Sequence, residues 1–177
     1  MSTESTESTQ STTERFGAVD VHYRDNGGAR AALVVYRDRA FADLVGRYVA
    51  ELAEVAAYRP GNFYERELPA IRAVLARTDP VDLLVVDGYV DLDPQGRPGL
   101  GAHVYDELRR PVVGVAKTYF RTATHAVPVR RGTSQRPLYV TAAGLPLETA
   151  AALVAGMHGA TRIPTALGAV DALARAR

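Results

Sequence analysis

The sequence has no cysteine, and only one of its twenty-one basic residues, Lys117, is lysine; the other twenty are arginine. Without thiols the chain can form neither disulfides nor thiolate zinc sites, and an intracellular location is open to it. It has no apolar run of the roughly eighteen residues that span a bilayer, and its first residues lack the hydrophobic core of a signal peptide. The expected location is the cytoplasm. Excess charge is missing too. The net charge is +1, which on its own does not announce a nucleic-acid partner. That figure hides an asymmetry: residues 1–14 hold three glutamates and no base, and setting those three charges aside leaves +4 from Arg15 onward.

With 177 residues, 47% of them hydrophobic, the chain has material for one well-packed core. Residues 1–15 repeat Ser-Thr-Glu with nothing to bury and are expected to form a disordered tail. Residues 16–177 are expected to form one domain. Its centre is the stretch Val81 to Lys117. Leu83 to Val86 is a continuous aliphatic run stopped by Asp87-Gly88, the pattern of a strand covered on both faces in a parallel sheet. Pro111 to Ala116 repeats it. Between them Leu100, Val104 and Leu108 recur every four residues and predict a short crossover helix. Such strand-helix-strand units are right-handed and take ligands beyond the carboxyl ends of their strands, so Asp87 and Lys117 should project toward one shared edge. Lys117 reads two ways: a compact cation with a movable pKa kept for function, or a chance survivor of an arginine-biased composition.

Phe16 to Tyr23 alternates as a strand, with Ala18, Asp20 and His22 on one face, and a turn at Asp25 to Gly28 leads into Ala31 to Tyr36 as its hairpin partner. Asp20 is therefore mid-strand, where a carboxylate is costly to bury unless a cation or donors meet it. An arginine, an exposed face and a metal all remain open. Arg47 to Ala57 favours a third strand over a helix, and Tyr58-Arg59-Pro60-Gly61 ends it. Leu68, Ile71, Val74 and Leu75 mark an amphipathic helix with Glu67 near its start, a place where the helix dipole favours glutamate without any function. Pro69 restricts where the first turn can begin. Arg121 to Arg136 reads as a loop or short hairpin, Pro137 to Thr141 as a short strand, and Pro146 to Met157 and Thr165 to Ala176 as helices, the last carrying Asp171.

A three-strand antiparallel start, a helix, a strand-helix-strand unit and carboxyl-terminal helices make the layout of an α/β, ribonuclease H-like fold, expected here as a mixed five-stranded sheet flanked by helices. In that layout a carboxylate on the first strand, one near the first helix, one at the end of the fourth strand and one on a late helix meet at one point. Asp20, Glu67, Asp87 and Asp171 hold those four places. Gathered carboxylates resist ionisation unless hard cations neutralise them, which suits Mg²⁺, with Mn²⁺ as an alternative. Paired ions would support in-line phosphodiester hydrolysis, and Lys117 would steady the charge growing on the phosphate.

These residues also resemble a known family, endonuclease V. The resemblance is carried by Tyr58-Arg59-Pro60-Gly61, Arg66-Glu67-Leu68-Pro69, Val86-Asp87-Gly88, Gly99-Leu100 with His103, and Gly114-Val115-Ala116-Lys117. Asp20-Val21-x-Tyr23, Pro137-Leu138-Tyr139-Val140 and Arg162-x-Pro164 through Asp171 extend it over nearly the whole chain after Phe16. It implies a metal-dependent nuclease that recognises inosine in DNA or RNA and cuts the second phosphodiester on its 3′ side. Carried over, Asp20, Glu67 and Asp87 match the metal-binding carboxylates, Asp171 a fourth acidic or histidine position, and Lys117 the active-site lysine. Tyr58 matches an aromatic wedge, and with Pro60 and Gly88 it belongs to the expected nucleic-acid surface. The implied partner is single-stranded or lesion-containing nucleic acid, and the protein is expected to be a monomer with no membrane contact.

The pattern departs from the family where Asp87-Gly88-Tyr89-Val90 and Asp93-Pro94-Gln95 replace Asp-Gly-x-Gly and His-Pro-Arg, and where the tail replaces a longer amino-terminal helical segment. A β-branched Val90 should crowd a base pocket, and Asp93 should add negative charge near the phosphate edge unless a metal or an arginine meets it. Discrimination of inosine from adenine is accordingly expected to be less sharp. Two other readings stay open: a catalytically weakened ribonuclease H-like binding module, and, resting only on strand-end glycines, a small-molecule-binding α/β domain.

Overall fold

A computed structural model describes residues 13–60, 62 and 64–177. Most of the expected tail, residues 1–12, lies outside the described residues, as does Gly61. Strand β1 (Phe16–Tyr23) pairs antiparallel along its whole length with β2 (Ala29–Tyr36), from Phe16 beside Tyr36 to Tyr23 beside Ala29. The turn between them is fixed by the Gly28 amide, which donates to Asn26 Oδ1 at 3.1 Å. Strand β3 (Leu44–Leu52) pairs antiparallel with β2. The competition seen between Arg47 and Ala57 thus resolves as a strand, displaced toward the amino terminus of the expected span; it is the outer strand, so its alternation is blurred by partial exposure.

Helix α1 (Tyr64–Leu75) follows, with Pro69 inside it on an exposed position rather than in its first turn. Strand β4 (Leu83–Asp87) runs parallel to β1, helix α2 (Leu100–Leu108) crosses over, and β5 (Val112–Ala116) runs parallel to β4. The short β6 (Val127–Val129) and β7 (Leu138–Ala143) then form a hairpin whose second strand pairs antiparallel with β5. Helices α3 (Leu147–Ala155) and α4 (Thr165–Arg175) close the chain. The strand order is β3-β2-β1-β4-β5-β7-β6. The sheet is mixed, as expected, but has seven strands rather than five. The β6-β7 hairpin accounts for the difference, and β6 escapes a pattern search because it is three residues long with Pro128 at its centre. Among the described residues no helix is long and apolar enough to cross a membrane.

Each face of the sheet buries its own core. Ala18, Val85, Val113 and Val115 pack with α3 and α4 residues such as Val154 and Val170, while Val19, Leu84 and Val86 pack with Ile71, Val74 and Val104 of α1 and α2. The strand period of two then decides where the polar residues go. Asp20 follows Ala18, Asp87 follows Val85 and Lys117 follows Val115 by two residues each, so all three leave their strands on the α4 face. The parallel register sets Val19 beside Val86, which brings Asp20 next to Asp87.

The chain leaving β4 folds back closely over β5. A Cβ on Gly114 would meet the Gly88 carbonyl oxygen and Thr141 Oγ1 at 2.6 Å each, so only glycine permits this approach. The Val90 amide donates to the same Thr141 Oγ1 at 2.8 Å.

Candidate active site

A cavity of about 360 Å³ opens at the carboxyl ends of β1 and β4, and its wall includes Asp20, Glu67, Asp87, Lys117, Asp171 and Arg175. Four elements and one strand end contribute. Asp20 comes from the middle of β1, Glu67 from the first turn of α1, Asp87 from the last residue of β4 and Asp171 from α4, while Lys117 directly follows β5. Lys117 Nζ lies 3.5 Å from Asp87 Oδ2. Arg175 Nε donates to Asp171 Oδ1 at 2.9 Å, and the Val21 amide donates to Asp20 Oδ1 at 2.9 Å. Asp20 and Asp171 line the same cavity and shift each other's acidity in opposite directions.

The electrostatics follow from four carboxyl groups facing two permanent cations, Lys117 and Arg175. Burial, followed by the charges of Asp20 and Asp87, pushes Glu67 up to about 8, with Arg66 pulling weakly the other way. Burial and the Asp87 charge push Asp20 up to about 6 against the Val21 hydrogen bond. For Asp171 burial acts upward but is outweighed by hydrogen bonds from Arg175 and Asp20 and by the charges of Arg175 and Lys117, so its carboxyl sits below the ordinary range. Of the pair, Asp20 is therefore the weaker acid. Crowded carboxyl oxygens whose ionisation is opposed by burial and by one another are the donor chemistry that hard divalent ions satisfy. Among the described residues, no three acidic or histidine side chains are already gathered as a ligand set, so the fit lies in the donor chemistry of the cavity and not in a closed coordination sphere.

An apolar pocket of about 200 Å³ adjoins the cavity, lined by Tyr64, Asp87, Gly88, Tyr89, Leu92 and Leu100 among others. Asp87 is a wall of both spaces. Gly88 has φ +127° with nothing near its absent side chain, so the backbone itself borders the pocket. Tyr64 is stacked on His103 of α2, ring centroids 3.6 Å apart, which fixes the opposite wall. Tyr58 and Pro60 lie elsewhere, exposed on the connection between β3 and α1, and neither borders the cavity.

Two expectations about the loop after β4 need correction. Val90 is 1% exposed and turned into the core, where its Cγ2 would be 2.7 Å from a Cβ on Gly101; it does not line the apolar pocket. The physical basis for expecting it to crowd a base is therefore gone. Asp93 is met by an arginine: Arg97 Nε is 3.7 Å from Oδ2, and Oδ1 accepts the amides of Gln95 and Arg97 at 3.0 Å each. It closes a turn instead of adding loose negative charge.

Sequence reasoning missed Arg175, although its i,i+4 spacing from Asp171 is the usual signal for a helical ion pair. It also missed that Arg162 holds Lys117 in place, donating to the Lys117 and Pro137 carbonyls at 2.6 and 3.0 Å. Arg131 looked like one more member of a basic loop. It is buried, and its guanidinium donates to the carbonyls of Val154, Met157 and Gly159 at 2.8 to 2.9 Å.

The Endonuclease V family model matches residues 1–153, a stretch that includes every residue of the cavity wall just named except Asp171 and Arg175. The endonuclease V of Pyrococcus horikoshii is 29% identical over 164 residues, 92% of this chain and 74% of its own. Two further curated endonucleases V are matched over only 51% and 48% of their length. Among solved structures, the endonuclease V of Streptomyces avermitilis superposes with a TM-score of 0.77 at 29% identity, covering 92% of this chain and 80% of that one. A Ciona intestinalis endonuclease V in complex with DNA containing an inosine superposes with a TM-score of 0.78 at 19% identity, covering 94% and 86%, which is a likeness of fold.

Proposed function

The chain belongs to the endonuclease V family, and from that premise we propose that it is a Mg²⁺-dependent endonuclease, Mn²⁺ being the alternative ion, that hydrolyses the second phosphodiester 3′ to inosine in DNA or RNA. The observation that carries the reading is the meeting of Asp20, Glu67 and Asp87 beside Lys117 in one cavity, where burial and the neighbouring carboxylates make Asp20 and Glu67 weaker acids than usual. In this reading Asp20, Glu67 and Asp87 hold the metal and Asp171 is the fourth acidic position. Bound there, the ion would supply charge against the phosphate oxygens and a water of lowered pKa.

The protein's own groups do the rest. Glu67 and Asp20 would hold the ion in their ionised forms, so metal binding would be favoured at higher pH. The Lys117 ammonium, held against Asp87 and anchored through its carbonyl by Arg162, faces the phosphate and compensates its growing charge. The apolar pocket bordered by Gly88 receives a base taken out of the stack. Tyr58, with Pro60 behind it, enters the strand from the β3–α1 connection. The substrate is single-stranded or lesion-containing, and residues 16–177 act as a cytoplasmic monomer.

The test uses matched labelled strands carrying inosine or adenine at one position. Cleavage of the inosine strand with Mg²⁺ or Mn²⁺, abolished by chelator and by Asp87→Ala, is the expected result. Undiminished cutting in chelator, or by Asp87→Ala, would overturn the reading. One observation favours a second reading, a ribonuclease H-like module that binds without turnover: the lack of a gathered ligand set among the described residues. Tight binding of the inosine strand with no product under either ion would establish it.

A further inference from the structure

A second concentration of features lies beside the cavity and continues from it. From Leu108 to Leu147 the sequence has seven basic residues and no acidic one. Two and three residues after Lys117 in this stretch come Tyr119 and Phe120, 58% and 38% exposed, two of the four large hydrophobic side chains that stand exposed among the described residues. Neither is isolated. The Phe120 ring lies 5.8 Å from that of Tyr89, and the Tyr119 ring 5.6 Å from that of Tyr139. The segment is fastened from both neighbours: Tyr89 Oη donates to the Thr118 carbonyl at 2.7 Å, and Thr122 Oγ1 donates to the Leu92 carbonyl at 2.5 Å.

The topology turns these contacts into a row. Tyr89 follows β4, Tyr119 and Phe120 follow β5, and Tyr139 sits on β7 opposite Ala116, so four rings cross the edge of three neighbouring strands, beginning at the wall of the apolar pocket. A single exposed tyrosine needs no explanation, but a fastened row of rings, three of the four in an acid-free, arginine-rich stretch, has a specific chemistry. Every nucleobase offers a π face to an aromatic ring, and arginines meet the phosphates between bases. Of the arginines in the stretch, Arg131 is spent on carbonyls, while Arg121 and Arg136 are exposed.

We infer that Tyr119 and Phe120, flanked by Arg121 and Arg136, form a stacking platform for unpaired bases of the substrate strand. This deepens the nuclease reading, from which it takes a nucleic-acid strand as its ligand. The strand order places β3, which leads to Tyr58, and β7, which carries Tyr139, on opposite sides of β1 and β4. The strand is thereby gripped on both sides of the carboxylates, by Tyr58 on one and by the platform on the other. Because stacking is tolerant of sequence, the platform selects single-stranded over paired nucleic acid rather than one base over another.

The chain has no tryptophan, so Phe120→Trp places a sole indole on the platform. The full chain carrying Phe120→Trp is titrated in chelator at low salt with a thymidine strand lacking inosine, with an abasic strand of equal length, and with a blunt duplex. The expected result is strong quenching by the thymidine strand and little by the other two. Adding Tyr119→Ala should weaken the thymidine strand about fivefold or more and leave the abasic strand nearly unchanged. Phe120→Leu in the natural background, which keeps an apolar contact to Tyr89, should show the same loss with an unaltered melting curve. Equal quenching by the abasic strand, or unchanged affinity in both variants, would overturn the inference. So would emission that depends on protein concentration alone together with sedimentation as a dimer, since the platform would then dock a second copy. No inosine and no cleavage enter these titrations. Failure here leaves the nuclease reading standing, and a chain that stacks thymidine strands yet never cuts an inosine strand would sink that reading alone.

Discussion

Asp87 and Asp93 stand six residues apart on one short segment and live under opposite conditions. Asp93 is satisfied locally, with two backbone amides on one oxygen and Arg97 beside the other. Asp87 has Lys117 at 3.5 Å and shares its cavity with three further carboxyl groups, two of them weaker acids than usual. The first acid closes a turn and stabilises the loop that carries it. The second belongs to a group that the fold holds together against mutual repulsion, an arrangement that persists only where the surrounding packing overrides it, and such conflicts cluster at functional sites. The contrast separates an acid satisfied within its own loop from acids held in mutual conflict more sharply than burial or charge alone would.

The largest effect should come from substituting these two acids. Asp87→Ala is expected to lower single-turnover cleavage of an inosine strand by about a thousandfold or more, given that electrostatic stabilisation of this kind is worth several kcal/mol. Asp93→Ala should keep most of the rate and lose about 1 kcal/mol of stability with its turn contacts. Equal losses of rate in the two variants would erase the distinction.

A second measurement asks whether the conflict in the cavity is real. A carboxyl whose pKa is higher in the folded than in the unfolded chain binds more protons in the native state between the two values, so stability falls as pH rises across that interval. For Glu67 the interval runs from 4.5 to about 8. The metal-free protein should therefore melt at progressively lower temperature as pH is raised from about 4.5 to 8, and Glu67→Gln should flatten the profile. Added Mg²⁺ should restore more stability at pH 8 than at pH 5, because the carboxylates must lose their protons to bind it. A profile flat in both proteins would show that the carboxyls are not crowded.

The cavity was legible because strand alternation and the layout of elements both pointed to it. Alternation puts Asp20 on the face of Ala18 and can be read from Phe16 to Tyr23 without coordinates, while the order of elements implied that Asp20 and Asp87 meet; the parallel register that sets them side by side is visible only in the fold. What could not be read depends on approach in three dimensions. Arg131 sits in a basic run, and only the fold shows the carbonyls at the end of α3 converging on it. Tyr119 and Phe120 carry no pattern of their own in the sequence, and only the fold brings Tyr89 and Tyr139, distant in the chain, beside them. Val90 was assigned to a pocket wall by its place in a motif, but its direction is set by Gly101, whose missing side chain makes the space it fills.

That last point gives the third expected effect. Val90→Gly removes a buried side chain and adds backbone freedom, so it should cost about 2 to 4 kcal/mol of stability. The ratio of inosine to adenine cleavage, measured on the folded protein below its melting transition, should not change. A sharpened ratio would mean that this loop reads the base after all.

The smallest effect concerns Tyr58, and it turns the comparison of acids into one of aromatic rings. Tyr58 is 60% exposed on the connection between β3 and α1, so removing its ring should leave the core intact. If the ring enters the strand beside the lesion, Tyr58→Ala should weaken binding by about 1 to 3 kcal/mol, the usual worth of one base stack. Tyr58→Phe keeps the π face and should retain most of that affinity. The loss should also differ in kind from that of the platform variants: Tyr58→Ala should reduce affinity for a duplex containing inosine as well as for single strands, because a wedge acts where a helix must be opened, whereas Tyr119→Ala should affect single strands alone. Matched binding curves of both variants against an inosine duplex and a thymidine strand decide the matter. Identical losses on the two substrates would reduce the wedge and the platform to one undifferentiated aromatic surface, and a lowered melting temperature for Tyr58→Ala with unchanged affinity would make its ring a cover for the core.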